Sequence, residues 1–126
     1  MEKLAVIAKD GAPPVGPYSP GIKIGNWLFT SGQGPFDPAT KSIPENFEKQ
    51  VRLTLMNMKG IIEAAGGSMD NIVKTTVFLK DMDNFTKMNQ IYKEFFSTKP
   101  PARSCIEVAR LPLDIQIEIE AIAYLP

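Results

Sequence analysis

No histidine occurs among the 126 residues, and there is one cysteine, Cys105. Ser-His-Asp and Cys-His nucleophilic catalysis are therefore absent within the chain, as are the usual His-containing zinc sites, and a lone thiol cannot build a thiolate cage. Chemistry must rest on arginine, lysine, carboxylates, hydroxyls, amides and backbone. The combination with the most reach lies in the C-terminal third, with Arg103 and Cys105 in one alternating segment and Glu118 and Glu120 in the next. An arginine fork grips a carboxylate through two parallel hydrogen bonds. A carboxylate nearby can orient or deprotonate a water. On residue types alone, a plain ion pair between Arg103 and Glu118 or Glu120 is the commoner arrangement, because structural pairs are frequent. An oxygen-only metal site is the other opening. Asp81, Asp83 and Asn84 resemble the start of a calcium loop. Phe85 falls where the third ligand should be and no glycine turn follows, so no metal is expected.

These groups need a frame, and the composition supplies one. A chain of 126 residues suits a single domain spanning 1–126, and at this size roughly two thirds of the unfolded surface is buried on folding. Hydrophobic residues at 44% and charged ones at 22% are ordinary for a globular protein with a real core. Lys plus Arg and Asp plus Glu are both 14, so nucleic acid is not expected as the main partner. The start, MEKLAVIAKDG, holds too short an apolar run for a signal peptide or a membrane span, and no long apolar run follows. With the lone cysteine, these features predict a cytoplasmic protein without membrane contact.

Along the chain, Leu4–Ala8 reads as an edge strand. Gly11–Gly21 is a structured Pro/Gly loop around Tyr18 and Ser19. Ile22–Ile24 and Trp27–Ser31 flank Gly25-Asn26 and predict a hairpin. Glu45–Ala65 repeats apolar residues at helical spacing and stops at Gly66-Gly67. Ile72–Leu79 is a β-branched and aromatic strand. Asp83 is placed to cap a second helix carrying Phe85, Met88, Tyr92 and Phe95, which Pro100-Pro101 ends. Asp114–Tyr124 alternates strictly and predicts a strand with an all-aliphatic face. In Arg103–Ala109, Arg103, Cys105 and Glu107 share one face. The short Leu111-Pro112-Leu113 link predicts that these last two strands pair antiparallel, with Arg103 and Glu118 on one sheet face. The expected architecture is α+β: a single mixed sheet with two helices on one face. The opposite face is then left bare, and self-association is the simplest way to cover it.

GPYSPG (Gly16–Gly21), TSGQ (Thr30–Gln33), IVKTTVFLKDMDNF (Ile72–Phe85) and above all PARSCIEVARLPLDIQIEIEAIA (Pro101–Ala123) resemble the reactive-intermediate deaminase (Rid, YjgF-like) family, in order and across essentially the whole chain. The resemblance implies a chorismate-mutase-like fold, a homotrimer with clefts between subunits and no cofactor. It also implies hydrolysis of short 2-imino acids, 2-iminopropanoate and 2-iminobutanoate, to 2-keto acids and ammonia. By the same resemblance Arg103 would bind the substrate carboxylate and Glu118 would orient the attacking water. Cys105 would line the pocket, and Tyr18, Ser31 and Asn89 would complete it, Tyr18 from a neighbouring subunit. Read without the resemblance, Tyr18 is a packing anchor, Ser31 satisfies a nearby backbone group, Asn89 is a structural amide and Cys105 is a small buried hydrophobe. Pro20 and Gly34 depart from the family pattern and bear on the pocket wall rather than the reaction. Two other functions compete: a non-enzymatic carboxylate-binding or regulatory trimer, and an endoribonuclease or translation inhibitor. Zero net charge and the missing histidine weigh against the latter.

Overall fold

A computed structural model of the chain describes residues 1–126. In chain order the elements are β1 (Lys3–Val6), β2 (Gly21–Ile24), β3 (Trp27–Thr30), α1 (Phe47–Ala64), β4 (Ile72–Leu79), α2 (Phe85–Tyr92), β5 (Ala102–Glu107) and β6 (Ile117–Tyr124), with short 3-10 turns between some of them. Gly25 turns the β2–β3 hairpin at φ +57°, a left-handed conformation that costs glycine nothing. Helix α1 starts where the Asn46 side chain accepts the Lys49 N–H at 2.9 Å. It ends where Gly66 adopts φ +93° and the Gly67 N–H returns to the Ile62 carbonyl at 3.0 Å. The cap ahead of α2 differs from the sequence expectation. Asp81, not Asp83, supplies the side chain, which accepts the Asp83 N–H at 2.9 Å and closes a 3-10 turn before the helix begins at Phe85.

The strands form one six-stranded sheet in the order β1-β2-β3-β6-β4-β5. All neighbours are antiparallel except β4 and β5, which run parallel through the crossover that carries α2. Strand β6 is therefore central. Its alternation is what the sequence predicted: Ile117, Ile119, Ala121 and Ala123 are buried, where the sheet packs on α1. Val51, Leu55, Met58 and Ile62 of α1 and Met88 of α2 meet them in a core of 21 buried residues. At roughly 1.5–3 kcal/mol for each fully buried aliphatic side chain, that core is ample for a single domain.

The pairing of the last two strands overturns the antiparallel expectation. Strand β5 does not touch β6; β4 lies between them. The register sets Thr75 against Arg103 and Val77 against Cys105 on one side of β4, and Phe78 against Glu118 on the other. Thr75 and Val77 are buried on the helix side. Arg103, Cys105 and Glu107 therefore face the helices, and Ser104 and Ile106 face the open side. Arg103 and Glu118 lie on opposite faces of the sheet, not on one.

The face without helices is bare, as predicted, but more apolar than predicted. Trp27, Phe29, Ile106 and Tyr124 are between 41% and 46% exposed on it. Trp27 and Tyr124 meet edge to face at 4.9 Å, extending an aromatic surface into solvent. No helix is long and apolar enough to cross a membrane.

Candidate active site

The residues singled out from the sequence gather into two groups, one on each face of the sheet. The first is built on β5 and α2. Arg103 is part-buried on the edge strand, and its Nη1 donates to Asn89 Oδ1 at 2.8 Å and lies 3.9 Å from Met88 Sδ. Its guanidinium carbon stands 4.9 Å from the Tyr92 ring centroid and 5.5 Å from that of Phe85. The aromatic pair steadies the cation through the ring quadrupoles while the amide fixes one nitrogen. Tyr92 is itself anchored, its hydroxyl 2.7 Å from that of buried Thr75. Only Nη1 is engaged, so the Nε–Nη2 edge of the fork remains able to take both oxygens of a carboxylate.

Cys105 sits two residues further along the same face, half-buried beside the core. Burial pushes its thiol pKa up, and the Arg103 charge only partly offsets that. It is a protonated thiol beside Arg103, not an activated nucleophile. Glu107, on the same face, accepts the Met82 N–H at 2.8 Å and closes the end of this patch.

The second group lies around Glu118 on the open face of β6. Its neighbours come from the segment after β3, which is pinned to β6 by paired backbone bonds, Gln33 N–H to Ile119 O at 2.7 Å and Ile119 N–H to Gln33 O at 3.0 Å. That bridge lays Gly32 directly on the Glu118 carboxylate. A β-carbon at Gly32 would stand 2.3 Å from Oε2 and 2.6 Å from Cδ, so only glycine leaves the carboxylate where it is. Ser31 is tied down by its Oγ, which donates to the Ser19 carbonyl at 2.7 Å, and by its N–H, which donates to Pro20 O at 2.9 Å. Tyr18 Oη accepts the Val15 N–H at 3.3 Å, which orders the Pro/Gly loop over the site. Tyr18, Ser31, Gly32 and Glu118 line one cleft of about 490 Å³.

Burial raises the Glu118 pKa above its ordinary 4.5, and neighbouring Glu120 raises it further. Glu118 enters none of the chain's ion pairs, which join Arg52 to Glu94, Lys87 to Glu48 and Arg110 to Asp114. The structural pair between Arg103 and Glu118 or Glu120 is thus corrected: Arg103 is held by an amide and two rings, and β4 separates it from both carboxylates. The Asp81 carboxylate is engaged in the turn before α2, and no group of three His, Cys, Asp or Glu side chains is placed to hold a metal ion.

Sequence reasoning put all six residues around one cleft, with Arg103 and Glu118 on one sheet face; the structure divides them, with Tyr18, Ser31 and Glu118 in one group and Arg103, Cys105 and Asn89 in the other. It missed Phe85, Met88 and Tyr92 as the cradle of Arg103, having read them only as core. It also missed Gly32 as the seat of the carboxylate; its adjacency in sequence to Ser31 was the available signal.

The family model described as Endoribonuclease L-PSP matches residues 9–125. A RutC family protein of Pyrococcus horikoshii is 53% identical over 121 residues, covering 94% of this chain and 96% of that protein. The 2-iminobutanoate/2-iminopropanoate deaminase of Escherichia coli strain K12 is 50% identical over 121 residues, covering 93% and 94%. Among solved structures, E. coli TdcF with bound serine matches with a TM-score of 0.94 at 42% identity, covering 98% of this chain and 99% of that one. The E. coli YjgF gene product matches with a TM-score of 0.93 at 45% identity, covering 96% and 98%. With its sheet, its two helices and nearly its whole length matched, the chain belongs to the endoribonuclease L-PSP family, the Rid or YjgF-like proteins.

Proposed function

We propose that the protein is a cytoplasmic imine deaminase, hydrolysing short 2-imino acids such as 2-iminopropanoate and 2-iminobutanoate to 2-keto acids and ammonia. The observation that carries this is the pair of complementary half-sites on opposite sheet faces: an arginine fork with an open edge, and a half-buried carboxylate outside every ion pair, seated on Gly32. The 50% identity to the E. coli deaminase and the serine bound by the TdcF neighbour support a small amino-acid-like carboxylate as ligand.

Because the two groups face opposite ways within one chain, a working site needs two copies. We place Arg103, Cys105 and Asn89 of one subunit against Tyr18, Ser31 and Glu118 of the next, with three such clefts in a homotrimer closed over the apolar open faces. The expected mass in light scattering is three times the 13.9 kDa of the chain; a stable monomer at micromolar concentration would remove the cleft.

The substrate is protonated at nitrogen and already electrophilic. Arg103 holds its carboxylate through the free edge of the fork. Glu118 accepts a proton from water as the oxygen bonds to the imine carbon, giving a carbinolamine. It returns that proton to nitrogen, and as the C–N bond breaks and the C=O forms, Glu118 takes the carbinolamine hydroxyl proton and passes it to the departing ammonia, leaving keto acid and ammonium. A raised pKa suits a group that must take and then give the same proton. Positioning and electrostatics account for the acceleration, and no cofactor enters.

The test is a coupled assay in which a dehydratase generates 2-aminoacrylate from serine and pyruvate formation is followed. The protein should speed imine loss well above the spontaneous rate, with EDTA making no difference. A rate equal to the uncatalysed one would leave a carboxylate-binding module as the better account.

A further inference from the structure

The turn between β5 and β6 carries two successive residues in left-handed backbone, neither of them glycine: Leu113 at φ 60° and Asp114 at φ 55°. Leucine rarely adopts this conformation, because its β-carbon crowds the following carbonyl. The turn is held there deliberately. Arg110 forks onto the Asp114 carboxylate, Nε to Oδ1 at 2.9 Å and Nη2 to Oδ2 at 3.3 Å. The Asp114 N–H donates to Leu111 O at 3.1 Å, and Leu111 and Ile115 are buried at either end. The result is a strained tip whose leucine side chain is 69% exposed. Strain of this kind persists where the surroundings enforce it, and it concentrates at functional sites.

The location gives the strain a use. Leu113 lines the same cleft as Glu118, with Pro112 and Ile115 beside it and Val15, Phe36 and Ile43 also in the lining. Gly34 belongs to this wall as well, and a β-carbon there would stand 2.9 Å from Ile115 Cδ1, so glycine keeps the cleft wide. One end of the site is thus polar around Glu118 and the other is aliphatic with room to spare.

We propose that Leu113 is a specificity-determining residue, the outer wall against which the side chain of the substrate packs, and that the Arg110–Asp114 clasp exists to hold it there. This rests on the reading of the Glu118 cleft as the reaction site. The wall favours longer aliphatic side chains over a methyl group, since each buried methylene adds to binding.

The test compares imines generated by an amino-acid oxidase from L-leucine and from L-alanine, with parent, Leu113→Ala, Leu113→Gly and Glu118→Gln proteins. Both Leu113 variants should lose about tenfold or more in kcat/KM for the leucine-derived imine and stay within about twofold of the parent for the alanine-derived one. Leu113→Gly accepts the left-handed backbone freely, so it should melt no lower than the parent and separate lost contact from lost folding. An equal fall for both imines, an unchanged preference, or dissociation of the assembly by Leu113→Ala would overturn the proposal. Glu118→Gln separates the two readings: full activity on both imines refutes the reaction site itself, whereas loss of both with an unchanged preference in the Leu113 variants refutes only the wall.

Discussion

The two faces of the sheet differ in how complete they are. On the helix side, Arg103 has an amide, two rings and a sulfur around it, so its own chain holds the part-buried cation on every side but the Nε–Nη2 edge. On the open side, Glu118 is half-buried outside every ion pair, in a cleft rimmed by apolar residues and beside a sheet surface of exposed aromatics. Packing within the chain accounts for how the first group is oriented. It does not account for the second, because a desolvated carboxylate without a cation is a cost to the isolated chain. The open face is the side that the isolated chain leaves uncovered, and it is where the proposed second copy and substrate would act.

The largest expected effect breaks this contrast at its incomplete side. Glu118→Gln keeps the shape and removes the base, so kcat should fall by about 10²–10⁴-fold while 2-keto acid binding largely survives. The fold should gain stability near neutral pH, because the mutation removes a desolvated charge. Gly32→Ala should then cost about 10²-fold in turnover with little change in the melt, because the new β-carbon displaces a flexible carboxylate end rather than the backbone. Thermal melts beside steady-state rates on the same preparations decide both.

Arg103 probes the finished side. Its partner carboxylate keeps its charge throughout hydrolysis, so ground state and transition state should suffer together. Arg103→Lys should weaken 2-keto acid binding by about 10–100-fold, because a point charge cannot reproduce the fork. Calorimetric titration of pyruvate measures it, and an unchanged affinity would detach Arg103 from the site. The smallest effect is in pH. The folded-state pKa of Glu118 is raised, so its contribution to stability is greatest below the unfolded value near 4.5 and is lost as pH rises through the folded value. The acid limb of kcat/KM should lie above 4.5 for the same reason, and Glu120→Gln should move it down slightly.

The strands and the two helices were legible because they follow from period and turn chemistry, whereas the candidate site residues came from the family resemblance and were read as one cleft. Strand β6 alternates without exception, and Gly25 and Gly66-Gly67 stop their elements where glycine's freedom requires. The failure was in pairing. A short link between β5 and β6 suggested a hairpin, but the turn at Leu111–Ile115 instead carries the chain past β4. Strand neighbours are a tertiary choice, and β5, an edge strand with Arg103 and Cys105 on one side and Ser104 and Ile106 on the other, has no clean apolar face to reveal its orientation. That one error put Arg103 and Glu118 on the same face and hid the split between two faces on which the proposed two-copy site rests. The cradle of Phe85, Met88 and Tyr92 was hidden for a related cause, since helical spacing shows that residues share a face but not what lies beneath it.

The central claim is that Arg103 and Glu118 act from different subunits, and subunit complementation tests it most directly. Differently tagged Arg103→Ala and Glu118→Gln chains are co-expressed, and mixed assemblies are purified through both tags and assayed on 2-aminoacrylate. With each cleft shared by two neighbouring copies, every mixed trimer restores both native groups in one of its three clefts, and activity should return to about a third of the parent. Mixed assemblies no more active than the two single variants would contradict the account.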